Sequence, residues 1–226
     1  MPPVLPPPLP PRSLVVSCQA AATSPLHGPG PMAMMARAAE QAGAVAIRAN
    51  GPADVAAIAE AVRLPIIGIN KTGDRAGVFI TPTVAAAAEV IRAGATLVAL
   101  DGTLRPRPDG TTLAEQIAAI HDEYGVPVMA DVDGYEAGLA AREAGADLVA
   151  TTLSGYTGPG PVPAGPDVEL VAALAAALDC PVVAEGRYST PEQFRAALDA
   201  GAHAAVVGTA ITNPGAIVQR FLGAVA

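Results

Sequence analysis

The sequence predicts a closed (β/α)8 barrel, and three observations carry that prediction. Ala-Gly-Ala occurs four times, at 42–44, 93–95, 144–146 and 200–202. Each copy ends an Ala-rich helical stretch and opens an apolar strand. Pro65, Pro127 and Pro181 open three further strands after further helices. These marks alternate without a break, and an apolar segment at 14–19 precedes the first of them. The sum is eight strands separated by helices, an α/β barrel whose chemistry belongs at the C-terminal ends of its strands.

Taken in order, the strands read as 14–19, 44–49, 65–70, 96–101, 127–132, 147–153, 181–185 and 204–209. They are near-continuous Val, Ile, Leu and Ala runs, as parallel strands covered on both faces require. The helices read as 31–41, 53–63, 83–92, 112–123, 135–143, 167–178, 191–199 and 214–224. Thr190-Pro191 and Asn213-Pro214 place a capping side chain before a proline of the first turn. The glycine of each Ala-Gly-Ala ends its helix where a left-handed conformation is needed. The segment 77–82 resembles a ninth short strand. It lacks a preceding helix and is assigned to the long loop after strand three.

At 226 residues the chain lies near the lower end for one barrel and leaves no room for a second domain. Half of it is hydrophobic (51%), only 3% is aromatic and Trp is absent, so the core is Ala, Val, Ile and Leu. The mean hydropathy of +0.40 does not imply a membrane span. The longest apolar run, 170–178, falls far short of the roughly 20 residues that a span needs. The formal charge of −8 argues against non-specific nucleic-acid binding. Cys18 and Cys180 have no metal-ligand spacing and read as two reduced thiols of a cytoplasmic protein. Residues 1–12 hold seven prolines and no apolar period, so they read as a disordered tail rather than a signal peptide. The catalytic barrel then covers 13–226.

The functional signal is a polar residue at the end of apolar strand after apolar strand: Gln19, Arg48, Lys71, Asp101, Asp131, Thr152 and Glu185. In a parallel barrel these converge on one mouth. Lys71 and Glu185 end strands three and seven, on opposite sides of the ring. A substrate between them meets a base on one face and an acid on the other, as inversion of a carbon stereocentre requires. Burial and the Arg48 cation are expected to lower the Lys71 pKa, and burial to raise that of Glu185. Gly186-Arg187 and Gly208-Thr209 follow strands seven and eight, where barrels bind phosphate. The stretch 158–165 reads as a flexible loop able to close over a ligand. Of three histidines, His203 starts strand eight and reads as structural, His121 lies on an exposed helix, and only His27 could reach the mouth. Asp101 and Asp131 alone make a poor ligand set, so no metal is expected.

Several motifs carry a family resemblance. They are Val16-Ser17-Cys18-Gln19, Gly-Ile-x-Lys ending at Lys71, Ile80-Thr81-Pro82-Thr83 and Ala-Leu-Asp at 99–101. Arg105-Pro106-Arg107-Pro108, Thr151-Thr152-Leu153-Ser154-Gly155-Tyr156 and Ala184-Glu185-Gly186-Arg187 complete the set. In this order they resemble the N-acylglucosamine-6-phosphate 2-epimerase family, over about 14–225. The resemblance implies interconversion of N-acetylmannosamine 6-phosphate and N-acetylglucosamine 6-phosphate in sialic-acid breakdown. It implies proton transfer at C2 by Lys71 and Glu185 without metal or organic cofactor, sugar contacts from Gln19, Arg48 and Asp131, and a homodimer built partly on the C-terminal helix. Arg48 and Gln19 then suit the oxygen of an enolate intermediate. Thr152 and Arg187 complete the expected substrate contacts, with Gly186, Arg187, Gly208 and Thr209 at the phosphate. Departures are the proline tail in place of a leading helix, Asn70 for an aromatic residue, Asn213 for a basic one, and a shortened loop at 72–79. Two other readings compete: a flavin-dependent barrel oxidoreductase, and a phosphosugar-binding barrel without catalysis.

Overall fold

A computed structural model describes residues 9–74 and 76–225. Eight parallel strands close into a barrel in sequence order. They are β1 (Ser13–Cys18), β2 (Ala46–Asn50), β3 (Ile66–Ile69), β4 (Leu97–Asp101), β5 (Val128–Asp131), β6 (Leu148–Ala150), β7 (Val182–Glu185) and β8 (Ala204–Val207). Closure is made by β8 pairing with β1, with Val15 opposite Val206. Between and after the strands run α1 (Pro29–Gln41), α2 (Pro52–Ala61), α3 (Val84–Arg92), α4 (Leu113–Tyr124), α5 (Tyr135–Glu143), α6 (Val168–Ala177), α7 (Pro191–Asp199), α8 (Thr209–Thr212) and α9 (Pro214–Leu222). No helix of the described residues is long and apolar enough to cross a membrane.

The local rules hold where they were strongest. Gly43, Gly94, Gly145 and Gly201 sit at φ 97°, 112°, 103° and 103°, so each Ala-Gly-Ala turns a helix into a strand through a conformation that a side chain would disfavour. Thr190 caps α7 with a full capping box, and Asn213 accepts from the Ala216 N–H at the start of α9. The short helix α8 falls inside the stretch read as the end of strand eight and its following turn.

Two apolar layers fill the fold. Inside the barrel stand Val15, Ala46, Ile67, Ile69, Leu97, Met129, Leu148, Val183 and Val206, all nearly fully buried. Outside it, Val, Ile, Leu and Ala pack the strands against the helices. Because side chains alternate along a strand, the inward positions above Ala46, Met129 and Val183 belong to Arg48, Asp131 and Glu185. The polar layer is therefore the uppermost layer of the barrel interior.

The tail expectation needs correction at its inner end. Residues 1–8 lie outside the described residues, but Leu9 is 4% exposed and packs into the barrel interior. Its carbonyl accepts from His203 Nε2 at 2.8 Å, and the Arg12 N–H donates to the His203 carbonyl. The apolar side chain fills the N-terminal opening of the barrel, which a polyproline reading of composition could not foresee. His121 is corrected too. It is half-buried, with Nε2 2.8 Å from the fully buried Asp147 carboxylate.

Candidate active site

At the C-terminal mouth lies a cleft of about 580 Å³. Its walls come from the ends of most strands, including Gln19, Lys71, Thr152, Glu185, Gly208 and Thr209. Strand order places Lys71, just after β3, across the barrel from Glu185 on β7. The segment after Lys71 folds back, with Lys71 in a single antiparallel bridge to Ile80. The stretch that resembled a ninth strand is thus one arm of a small hairpin that fixes the Lys71 backbone. The Lys71 N–H also donates to Asn50 Oδ1 at 2.9 Å.

Beneath the cleft Arg48 and Asp131 are sealed from solvent, and their partners Glu185 and Thr152 line the cleft above them. Arg48 is fully buried and its two terminal nitrogens grip both oxygens of the equally buried Asp131. The same guanidinium reaches Glu185 Oε2 at 3.1 Å. Thr152 Oγ1 lies 2.7 Å from Asp131 Oδ1 and 3.2 Å from Glu185 Oε2. Burial would depress the Arg48 pKa, but Asp131 and Glu185 together hold it above its ordinary value. Burial, assisted by the Asp131 charge, pushes Glu185 up to about 7, against the opposing pull of Arg48, Lys71 and Thr152. A carboxyl group poised there can exchange a proton at neutral pH.

Lys71 differs from expectation in its surroundings. It is exposed at the cleft wall rather than buried. Lys71 Nζ donates to Gln19 Oε1 at 2.7 Å, and Gln19 Nε2 donates to Ser17 Oγ at 2.9 Å. Gln19 therefore orients the amine at the cleft wall.

The two loops expected at a phosphate line the same cleft, on the β7–β8 side. Gly186 at φ 110° and Arg187 at φ 61° form consecutive left-handed turns, and only the glycine adopts this without strain. Gly208 stands where an added Cβ would come 3.1 Å from that of Ser17, so its lack of a side chain lets the turn after β8 pack against β1. Among the described residues no group of three or more His, Cys, Asp or Glu side chains is arranged to hold a metal ion.

The sequence profile of a family described as "Putative N-acetylmannosamine-6-phosphate epimerase" matches residues 32–226. The chain belongs to this family. A Cutibacterium acnes protein named "Putative N-acetylmannosamine-6-phosphate 2-epimerase" is 55% identical over 210 residues, covering 92% of this chain and 91% of that one. A protein of the same name from Caldanaerobacter subterraneus subsp. tengcongensis is 49% identical, covering 93% and 90%. A solved structure of the N-acetylmannosamine-6-phosphate 2-epimerase from Clostridium perfringens superposes with a TM-score of 0.90 at 43% identity, covering 95% and 93%. A thiamine phosphate pyrophosphorylase from Pyrococcus furiosus, at TM-score 0.61 and 18% identity, shares the fold alone.

Within this epimerase-family chain the structure divides the expected site residues into three groups. Lys71, Gln19, Thr152 and Glu185 meet at the cleft, as do Gly186, Gly208 and Thr209. Arg48 and Asp131, expected to touch the sugar, are fully buried, with Arg48 paired to both Asp131 and Glu185. Arg187 borders the cleft, but its guanidinium is bound to the carbonyls of Ser154 and Gly165 and stacked 5.1 Å above Tyr156. It fastens the loop after β6. Asp101 is fully buried and accepts from Thr103 and Arg105. His27 is exposed outside the cleft. The residue that sequence reading passed over is Arg105, which borders the cleft from the loop after β4. Its signal was the motif at 105–108, quoted for resemblance and given no role.

Proposed function

We propose that this protein interconverts N-acetylmannosamine 6-phosphate and N-acetylglucosamine 6-phosphate by moving the C2 proton between Lys71 and Glu185. The observation that carries this reading is the placement of those two groups on opposite walls of one cleft, with Glu185 poised near neutrality. In the open-chain sugar C2 adjoins the C1 carbonyl. One group removes the proton, the electron pair passes to the carbonyl oxygen, and the other group returns a proton to the opposite face. Arg48 and Asp131 position Glu185 and set its proton affinity. Phosphate is anchored by the backbone of the loops at Gly186-Arg187 and Gly208-Thr209. The names carried by its relatives support N-acetylmannosamine 6-phosphate as a substrate epimerised at C2, and this reading gives the enzyme a place in amino-sugar breakdown.

The reading extends to assembly and location. Helix α9 buries none of its residues and exposes Val218, Phe221 and Leu222. A second copy of the chain covers this face in a homodimer, which light scattering would report as twice the 22.4 kDa chain mass. The two buried thiols, Cys18 and Cys180, suit a cytoplasmic enzyme. Proton NMR of N-acetylmannosamine 6-phosphate in D₂O tests the chemistry. The account expects the gluco epimer to form with deuterium at C2, and retention of the original proton through turnover contradicts it.

A further inference from the structure

The two groups that suited the enolate oxygen by sequence are both engaged elsewhere. Arg48 is buried beneath the cleft between two carboxylates. Gln19 accepts from Lys71 and donates to Ser17. Deprotonation at C2 nonetheless places negative charge on the C1 oxygen, and a water-poor site needs a fixed donor there. Among the described residues, the cations bordering the cleft are Lys71, Arg105 and Arg187. Lys71 is the base in this reading, and the Arg187 guanidinium holds the loop after β6.

We propose that Arg105 is a catalytic residue that donates to the C1 oxygen of the enolate, an inference that rests on the C2-deprotonation reading. Its side chain is 23% exposed, and its base is fixed from behind. Arg105 Nη2 donates to Asp101 Oδ2 at 2.8 Å and Nε to Thr103 Oγ1 at 3.0 Å. Thr103 donates in turn to the other oxygen of Asp101 at 2.6 Å, and Arg107 binds the Asp101 carbonyl. The fully buried Asp101 is therefore the support of a guanidinium rather than a substrate ligand. A guanidinium has five N–H donors in a rigid fork. Two are taken by this support, and Nη1 makes only a long 3.4 Å contact with the Ala76 carbonyl. The side chain borders the cleft, and its remaining donors are not committed to this support.

Position decides which end of the substrate they serve. Arg105 follows β4, which lies across the barrel from β8 and beside β3, the strand that ends at Lys71. A sugar anchored by its C6 phosphate at the β7–β8 loops extends its C1–C2 end toward Lys71 and Arg105. When Lys71 takes the C2 proton, the C–H electron pair forms the C1–C2 double bond and the carbonyl pair moves onto oxygen, where an Arg105 N–H donates. The pair returns as C2 accepts its new proton.

Three measurements on Arg105→Ala test this. C2 deuterium exchange should fall by about 100-fold, as for loss of one oxyanion donor. Added guanidinium chloride, at millimolar concentration, should restore a substantial part of it. The affinity for inorganic phosphate, measured by calorimetric titration, should stay within about twofold of the wild type. Exchange within threefold of wild type overturns the proposal. So does loss of exchange with weakened phosphate affinity, which makes Arg105 a phosphate anchor, or loss that guanidinium does not restore. If the wild-type protein itself fails to exchange C2, the deprotonation reading fails first.

Discussion

Arg48 lies 3.1 Å from Glu185 while its guanidinium holds both oxygens of Asp131, so one buried positive charge serves a buried acid and a second at the cleft wall. The three cannot all be charged without a net negative charge under the cleft. Because Arg48 is held charged and burial pushes Glu185 up to about 7, Glu185 is the acid that takes up a proton to relieve the excess as the pH falls through that value.

Removing Arg48 strands those acids. Arg48→Met keeps much of the volume but leaves Asp131 and Glu185 facing each other unpaired. Breaking a buried ion pair from one side costs about 3–5 kcal/mol, so urea unfolding should show a loss of that order together with loss of epimerisation. Adding Asp131→Leu should recover much of the stability and none of the activity. A loss below about 1 kcal/mol would contradict the buried-pair account.

The pH profile follows from proton counting. A Lys71–Glu185 pair works with one shared proton, whichever group holds it. Below about pH 7 Glu185 is protonated, which brings the pair to two protons. kcat/KM should therefore fall on the acid side of about 7. It should do so equally for both epimers, since their ratio is fixed by the overall equilibrium. A flat profile from about pH 5.5 to 8 would contradict this.

Phosphate anchoring predicts a strong preference for the phosphorylated sugar. Binding energy from the remote phosphate positions C2, so the sugar without it should lose kcat/KM by orders of magnitude. Gly186→Ala puts a side chain at φ 110° and should raise KM for the phosphorylated substrate. Equal kcat/KM for the two sugars would remove the anchor.

At the other end of the barrel, Leu9→Ala should lower stability by about 2 kcal/mol, as deletion of a well-buried Leu does, and leave kcat unchanged. An unchanged melting temperature would show that Leu9 does not close the barrel interior.

Architecture was legible because the punctuation is local. Each Ala-Gly-Ala needs a left-handed turn, each strand-opening proline needs an element boundary, and the structure has both. The convergence of Lys71, Thr152 and Glu185 was legible because strand order alone fixes their positions on the ring. Depth was not. Arg48 and Lys71 both read as strand-end residues in the sequence, yet Arg48 points inward from the middle of β2 and is buried, while Lys71 lies past the end of β3 and is exposed. Period-two alternation together with a strand end correct to one residue would separate them, and sequence places such ends less closely. The long-range partners of Arg187 and Arg105 depend on loops folding onto each other, for which the chain carries no local signal. Leu9 was hidden by its proline neighbours.

The two-base assignment is the central claim, and deuterium incorporation by two variants tests it most directly. Lys71→Ala removes the amine at the cleft wall and should reduce epimerisation by at least about 100-fold with the fold intact, in line with the usual contribution of a general acid or base. Glu185→Gln keeps shape but cannot carry the proton. In D₂O it should fail to epimerise, yet continue to exchange the C2 proton of one epimer, because Lys71 can remove and return a proton on its own face. Exchange without epimerisation is the predicted result, and epimerisation by Glu185→Gln at the wild-type rate would contradict the account.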